Sequence, residues 1–262
     1  MDSQTLPVGA LLRQWRQRRR LSQLDLACDA DISTRHLSFV ETGRALPSRE
    51  MLLHLAEQLD IPLRERNRLL GAAGYAPVYS ERALDDPALT VARQAIDQLL
   101  KAHEPNPAMV VDRHWNLLAS NHAVSVFLIG VAPELLAAPC NVLRMSLHPR
   151  GLAPNILNLG PWKAHVMARL QRDIDASGDP QLQALRDELA LYPAPPHEEQ
   201  ASGDMVLIPV QLNTELGVLS LIGTITVFGT PVDVTLSELA LETFFPADAR
   251  SAEILRRLTG AG

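Results

Sequence analysis

The chain has 262 residues, which favours two domains, and 47% of them are hydrophobic, which is enough for folded cores and excludes a disordered chain. The net charge of −6 would count against nucleic-acid binding if it were spread evenly. Residues 1–75, however, hold 11 Lys and Arg against 9 Asp and Glu (+2), whereas residues 76–262 hold 13 against 21 (−8). A weakly basic N-terminal module on an acidic body is typical of a DNA-binding domain tethered to a domain that does not touch DNA.

Cysteine content and hydropathy exclude further classes of protein. The two cysteines, Cys28 and Cys140, are far apart in the chain and lack the spacing of metal ligands, so we expect no disulfide and no metal site. The N-terminus shows no basic region followed by an apolar core, and no stretch reaches the roughly 18 apolar residues of a membrane span. We therefore expect a cytoplasmic protein that does not bind a membrane.

Apolar residues recur at helical spacing through residues 1–75 and predict five short helices. Ser22 and Ser33 stand where N-caps belong, before helices at residues 23–28 and 34–42. Gly43 is placed to end the second of these helices in a left-handed conformation. Two short helices joined by a tight turn are the layout that places one helix in the major groove of DNA.

The buried sides of these two helices follow from the same spacing. From the first, Leu24, Leu26 and Ala27 are expected to face the core, and from the second the apolar residues three apart in sequence. Glu41, at the end of the second helix, is expected to be structural, because a carboxylate is repelled by phosphates. We expect it to form an ion pair with Arg13 or Arg44.

The stretch LRQWRQRRRLSQLDLACDADISTRHLSFVETGRALPSREMLLHLAEQLDIP resembles the XRE family, the lambda-repressor and Cro type of helix-turn-helix domain. The opening Ser22-Gln23, the apolar Ile32, the start at Ser33 and the ending Glu41-x-Gly-Arg carry the resemblance. It implies a mainly α, five-helix DNA-binding domain at residues 1–75. The continuation ERNRLLGAAGYAPVYSERAL resembles a subgroup in which this domain precedes an MmyB-like, PAS-like ligand-binding domain.

The resemblance implies which residues approach DNA. Gln23 would contact a phosphate, Thr34, Arg35 and Ser38 would approach base edges, and His36 is a further candidate contact. Arg35 is the main specificity candidate, since arginine pairs in bidentate fashion with guanine. The alternative for Arg35 is a solvated helix arginine, and for His36 an ordinary surface residue. The full predicted DNA-binding set is Arg13, Gln23, Ser33, Thr34, Arg35, His36, Ser38 and Arg44.

The remainder of the chain predicts an α+β domain at residues 91–262, after a linker at residues 76–90. Two short apolar runs predict a hairpin, helical segments follow, and three apolar runs come last, so the order is β-β-α-β-β-β. The predicted strands cover residues 108–112, 115–121, 206–212, 217–228 and 232–247. The predicted helices cover residues 87–102, 123–129, 142–147, 159–174 and 181–192, with an exposed loop at 193–204. Resemblance to the MmyB-like domain spans residues 90–258 and depends on LHPRGLAP, NL..W and TFFPAD.

A sheet packed on short helices can enclose an apolar cavity, and the resemblance implies a fatty-acid-like effector in it. His148, Arg150 or Arg144 would hold the polar head, because mostly apolar pockets keep a few polar anchors. Ordinary core packing is the alternative for each apolar residue of the set. The predicted ligand-binding residues are Trp115, Phe127, Leu143, Leu147, His148, Trp162, Val166, Leu170, Leu221 and Phe244.

Catalysis is not expected, because His148 has no nucleophile or carboxylate partner in a recognisable arrangement and no phosphate-binding loop or cofactor motif occurs. The patterns favour a transcription regulator, a repressor, whose operator binding a small apolar effector modulates. A module of only +2 binds DNA weakly alone, so we expect a homodimer on a two-fold symmetric operator. The alternatives are a ligand-independent dimeric DNA-binding protein and a protein-interaction module with the same helix-turn-helix fold.

Overall fold

The computed structural model describes residues 6–196, 207–229 and 231–260. Within them the chain forms two compact units, one holding the chain up to Ala83 with the described part of Thr230–Ser237, the other holding Leu84–Gly229 and the chain from Glu238. The helices of the first unit are α1 (Val8–Arg18), α2 (Gln23–Asp29), α3 (Thr34–Glu41), α4 (Arg49–Gln58), α5 (Leu63–Ala72) and α11 (Val234–Ser237). Those of the second are α6 (Thr90–Ala102), α7 (Pro133–Leu136), α8 (Val142–Leu147), α9 (Leu159–Ser177), α10 (Pro180–Ala190) and α12 (Ala249–Thr259).

Five of the helices, α1 to α5, form the mainly α N-terminal fold that the sequence predicts. The Ser22 hydroxyl accepts a hydrogen bond from the amide of Asp25, and the Asp25 carboxylate accepts one from the amide of Ser22, so α2 begins with a complete capping box. The Ser33 hydroxyl accepts from the amide of His36 and caps α3. Gly43 follows α3 at φ +74°, the left-handed conformation expected of it.

The core of the first unit is aliphatic and closely packed. Leu26 and Ala27 of α2 are buried as predicted, but Leu24 is 60% exposed, so its predicted inward orientation is wrong. The reason is helical geometry, since the buried stripe of α2 continues to Ala30 and Leu24 lies outside it. A Cβ on Gly9 would stand 2.2 Å from the carbonyl oxygen of Val40, so only glycine lets α1 approach α3 this closely.

Part of the predicted linker is folded onto α5. The Asn67 side-chain oxygen accepts from the amides of Val78 and Tyr79 at 3.0 and 3.1 Å, and its amide group donates to the Tyr79 carbonyl at 2.7 Å. The chain therefore changes from one unit to the other after Ala83, inside the predicted linker, and a 3₁₀ turn (Pro87–Leu89) precedes α6.

The segment around α11 also belongs to the first unit. Its buried Asp233 accepts from the amide of Thr235 and pairs with Arg82 at 2.8 Å, and the amide of Val234 donates to the Ser80 carbonyl. The predicted strand at residues 232–247 is wrong in its first half, because the Asp233 carboxylate satisfies amides of a helical turn instead. The strand there begins only at Ala240.

The second unit has one five-stranded antiparallel sheet in the order β2-β1-β5-β4-β3. Its two early strands, intervening helices and three late strands confirm the predicted α+β order. The strands are β1 (Ala108–Val111), β2 (Leu117–Ser120), β3 (Val210–Thr214), β4 (Gly217–Val227) and β5 (Ala240–Pro246). The predicted loop at 193–204 and the start of the strand predicted at 206 fall partly outside the described residues.

The predicted helices of this unit lie close to their predicted positions, whereas α7 and α12 were not predicted from the sequence. Helix α8 has the predicted bounds, α9 runs three residues further than predicted, and the short helix or helical turn predicted at 123–129 is a 3₁₀ helix at residues 122–127. Helix α9 packs against α8 and α10, and α12 packs against β4 and β5. A mostly aliphatic core, which also contains Trp115, Phe127 and Phe244, lies between these helices and the sheet.

Candidate functional sites

The first candidate site is the pair of capped helices α2 and α3. The turn between them passes through Asp31 at φ +50°, and Leu37 and Val40 anchor α3 in the core with no exposed surface. Because these two residues fix the inner face of α3, the helix presents its opposite face to solvent. Arg35 and Ser38 lie on that outer face, where Arg35 is exposed and Ser38 is half-buried, whereas Thr34 lies at its edge, three residues before Leu37, and is half-buried.

A buried polar network holds α1, α2 and α3 together. The Arg16 guanidinium donates two hydrogen bonds to the Glu41 carboxylate, at 2.6 and 2.8 Å, and a third to the Leu21 carbonyl at 2.8 Å. The Gln23 side-chain amide donates to the same carboxylate at 2.8 Å. Glu41 is structural, as predicted, but its partner is Arg16 instead of Arg13 or Arg44, because Arg16 lies on the buried face of α1.

The electrostatics of this network follow from its geometry. Burial by itself raises the pKa of Glu41, but the hydrogen bonds from Arg16 and Gln23 and the charges of Arg16 and Arg13 outweigh it. The pKa of Glu41 therefore lies below its ordinary value, and its hydrogen bond raises the pKa of Arg16. Both groups are charged at neutral pH, so the network is a fixed ion pair that orients α3.

The Phe39 ring contacts two arginines, Arg35 from the first turn of α3 and Arg44 just after its C-terminal end. The guanidinium carbon of Arg35 lies 5.4 Å from the centre of the Phe39 ring, and that of Arg44 lies 5.9 Å from it. Both distances are within the range of cation–π contacts. Arg35 and Arg44 are exposed, so both guanidinium groups lie next to the same ring and remain accessible to solvent.

The other residues of the predicted DNA-binding set have different surroundings. His36 turns toward α4, with its Nε2 atom 3.2 Å from the sulfur of Met51. Gln23 gives one amide hydrogen to Glu41, which leaves a second hydrogen and its oxygen for another partner. Ser33 uses its hydroxyl oxygen as a cap, and Arg13 is exposed on α1. His36 is thus the member that the geometry directs away from the outer face of α3.

The second candidate site is a cavity of about 440 Å³ in the second unit, within the size range of small-molecule pockets. Helices α8 and α9 form one side, and strands β1, β3, β4 and β5 form the other. Its lining is mostly apolar and comprises Met109, Trp115, Phe127, Val142, Leu143, Met145, Ser146, Leu152, Trp162, His165, Val166, Arg169, Arg172, Leu207, Ile208, Val210, Ile222, Gly223, Thr224, Ile225, Glu242 and Phe244.

Six of the ten predicted ligand-binding residues lie in this lining: Trp115, Phe127, Leu143, Trp162, Val166 and Phe244. Leu147, His148, Leu170 and Leu221 do not. The three leucines are almost completely buried in the core, Leu170 because it belongs to a stripe of α9 with Ile174.

His148 ends α8, where its Nδ1 atom accepts from the amide of Arg150 and its ring packs edge-on against Tyr192. The alternative anchors form ion pairs with other residues, Arg144 with Glu188 and Arg150 with Glu134. The predicted polar anchor is therefore misplaced.

The polar side of the cavity is built by α9 and β5. Arg169 donates two hydrogen bonds to Glu242, at 2.9 and 2.5 Å, and its guanidinium stacks 4.1 Å from the centre of the Trp115 ring. Burial, and then the charges of Arg169 and Arg172, lower the pKa of His165, so its imidazole is uncharged at neutral pH. Trp162 and His165 stack on each other on the same helix.

Sequence analysis missed these α9 residues although a signal was present. His165, Arg169 and Arg172 follow Trp162 at steps of three and four, the spacing of one helical face. The predicted polar anchor lies instead in the His-Pro-Arg motif after α8, outside this face. Glu242 gave no comparable signal, because its partner lies 73 residues away in sequence.

Within the residues that the structure describes, no helix is long and apolar enough to cross a membrane. No group of three or more His, Cys, Asp or Glu side chains in the same part of the chain is arranged to hold a metal ion.

Comparison with known families identifies both units. A model described as a helix-turn-helix domain matches residues 7–69, and one described as the MmyB-like transcription regulator ligand binding domain matches residues 92–258. A search of curated proteins gives no match. Both families are regulatory, and together the two domains make a ligand-responsive transcription regulator. Since the second model covers more than half of the chain, the protein belongs to the MmyB-like transcription regulators, here with an N-terminal helix-turn-helix domain.

Proposed function

We propose that the protein is an XRE-type repressor that binds a two-fold symmetric operator as a homodimer. The observation that carries this is the outer face of α3, where Arg35 projects beside Thr34 and Ser38 while the Arg16–Glu41 pair fixes the helix. Arg35 contacts a guanine through its two outer nitrogens, and Thr34 and Ser38 contact neighbouring base edges. Arg44, with Arg13 and Gln23, contacts phosphates and sets the register.

Dimerisation follows from charge. The first unit contributes little bulk attraction to DNA, since its balance is only +2, and the remaining chain at −8 opposes binding. Two copies on half-sites about one helical turn apart recover affinity through effective concentration. The second unit supplies the dimer contact in this proposal.

A small apolar effector, fatty-acid-like in its hydrocarbon body, binds the cavity and changes operator affinity. Strands β4 and β5 contribute to the lining, and the chain between them includes α11, which belongs to the first unit. An effector that favours one arrangement of these strands therefore acts on a segment continuous with the DNA-binding unit. The effector can shift the equilibrium between the two arrangements only by the difference in its binding free energy for them.

The test of DNA recognition is selection of bound sites from random duplexes with the full-length protein. We expect a two-fold site, and for Arg35→Ala a loss of about 1–3 kcal/mol together with relaxed preference at one guanine in each half. Arg44→Ala is the matched control, which weakens binding to all sites alike and reduces the salt dependence by about one phosphate contact.

The two alternative functions predict other results. A protein-interaction module keeps any residual DNA affinity and preference unchanged in Arg35→Ala. A ligand-independent DNA-binding protein selects the same operator, but no acyl compound raises its melting temperature or alters operator affinity. Either result rejects the corresponding part of the proposal.

A further inference from the structure

The cavity wall contains a charged pair whose partners already satisfy each other. Arg169 and Glu242 are joined by two hydrogen bonds, and their side chains are only 19% and 6% exposed. The pair lies in the lining, so a ligand in the cavity meets both charges together. A compensated pair presents little net charge to that ligand.

Arg169 is also held in place from a second direction. Its guanidinium stacks on Trp115, and the indole nitrogen of Trp115 donates to Asp173 at 3.2 Å. A guanidinium fixed by a bidentate carboxylate and an aromatic ring cannot turn toward an incoming anion without losing both contacts. Arg169 is therefore poorly placed to bind a ligand carboxylate.

A carboxylate on the ligand would have to compete with Glu242. If it took Arg169, the carboxylate of Glu242 would remain buried on β5 without a partner, and a buried charge that loses its partner is strongly destabilising. If it did not, two carboxylates would face each other in a mostly apolar cavity. Both arrangements disfavour a charged head group at this wall.

An uncharged polar group has no such difficulty. The two hydrogen bonds use two of the roughly five N–H donors of Arg169 and about half of the four lone-pair positions on Glu242. A carbonyl oxygen can accept from the free guanidinium hydrogens, and a hydroxyl or amide can also donate to the carboxylate. The neutral imidazole of His165 and the hydroxyl of Thr224, both in the lining, add weaker polar partners.

We infer that the effector is an uncharged amphiphile, a mostly apolar molecule with one amide, ester, ketone or hydroxyl group that hydrogen-bonds to the Arg169–Glu242 pair. The inference rests on the proposed function, because it takes the cavity to be the effector site. The competing arrangement places an anionic head at Arg172, which is exposed and also lines the cavity.

The test compares decanamide, decanol and decanoate, which share one chain length, by calorimetric titration of the full-length protein. Decanamide and decanoate are nearly isosteric, so their difference isolates the head-group charge. We expect decanamide and decanol to bind at least roughly tenfold more tightly than decanoate. Trp115 and Trp162 line the cavity, so quenching of tryptophan fluorescence gives a second readout.

Variants assign the discrimination to the pair. Glu242→Gln removes the competing carboxylate and leaves the charge of Arg169, so the preference for decanamide over decanoate should reverse or shrink by roughly tenfold or more. The matched control is Glu188→Gln, which breaks the similar bidentate pair with Arg144 outside the lining and should leave the ratio unchanged. If Glu242→Gln fails to fold, the ranking of the three probes on the unmodified protein still decides.

If decanoate binds more tightly than decanamide, the inference is wrong. If Arg172→Gln then abolishes the tighter binding of decanoate, the anionic head group lies at Arg172. That result leaves the proposed function intact. If none of the three probes binds, the effector site of the proposed function fails, and the inference fails with it.

Discussion

The two units each contain a bidentate Arg–Glu pair, and the pairs differ in what surrounds them. Arg16 and Glu41 are 9% and 1% exposed, and further hydrogen bonds to Leu21 and from Gln23 complete the network. The other pair, Arg169–Glu242, is somewhat more exposed and lies in a cavity lining. The same chemistry thus fixes a helix where protein surrounds it and leaves hydrogen-bonding capacity where a cavity adjoins it.

Because of this difference, we expect the two units to respond differently to substitutions at their Arg–Glu pairs. In the proposed function, recognition of DNA depends on a rigid support, because Arg35 would reach a base only if α3 keeps its orientation. The cavity depends on an incompletely used pair, because a fully used one would offer nothing to a ligand. We therefore expect the Arg16–Glu41 pair to act in stability and the Arg169–Glu242 pair to act in ligand binding, and substitutions in each pair test this assignment.

The largest effect is expected for Glu41→Leu. It leaves the buried guanidinium of Arg16 without its partner, which should reduce the stability of the first unit by about 3–5 kcal/mol. Hydrogen exchange of the α1, α2 and α3 amides measures this locally, without assuming that both units unfold together.

The double variant Arg16→Met with Glu41→Leu is the control for that prediction. Because it removes both charges and keeps apolar volume, it should recover most of the lost stability. If the double variant is as unstable as Glu41→Leu alone, the loss comes from packing at residue 41 and not from the unpaired charge.

The same pair predicts how the first unit responds to acid. The pKa of Glu41 is lower in the folded protein than its ordinary value of 4.5. Its contribution to stability is therefore complete above that value and is lost as the pH falls through the folded pKa. Below pH 4.5 the stability of the first unit should fall more steeply in the unmodified protein than in the double variant. Equal slopes would show that other carboxylates control the acid transition.

A smaller loss is expected for Glu242→Leu. Arg169 then keeps its stacking on Trp115 and its attraction to the nearby Asp173, and the adjoining cavity gives it access to water, so the cost should be about 1–3 kcal/mol in the second unit. Hydrogen exchange of α9 and β5 measures it. In Glu188→Leu, which breaks a pair that is 37% exposed on both sides, the loss should stay below about 1 kcal/mol.

Local patterns predicted the first unit almost completely. The caps Ser22 and Ser33 and the left-handed Gly43 depend on hydrogen bonds and backbone angles within a few residues, so the sequence specifies them directly. The partner of Glu41 was missed because the choice among the arginines of α1 depends on how α1 packs on α3, which local patterns do not specify.

The cavity was harder to predict because its walls come from distant parts of the chain. Its aromatic and aliphatic lining was partly recognised, since large apolar residues in a small α+β domain have few other places to be. Leu170 and Arg169 show the limit: neighbours in sequence, they lie about 100° apart around α9, so one enters the core and the other the cavity. The helix at α11 was missed because Asp233 finds partners outside the sheet.

The smallest effect expected concerns Phe39, whose ring supports both Arg35 and Arg44. Phe39→Leu keeps an apolar side chain but removes the cation–π contacts, so specific operator affinity should fall by about 0.5–1 kcal/mol. If the ring orients Arg35, preference at its guanine weakens while the salt dependence set by phosphate contacts stays constant. A mere loss of stability would instead lower affinity for all sequences alike, and unaltered base preference in Phe39→Leu would show that the backbone of α3 alone orients Arg35.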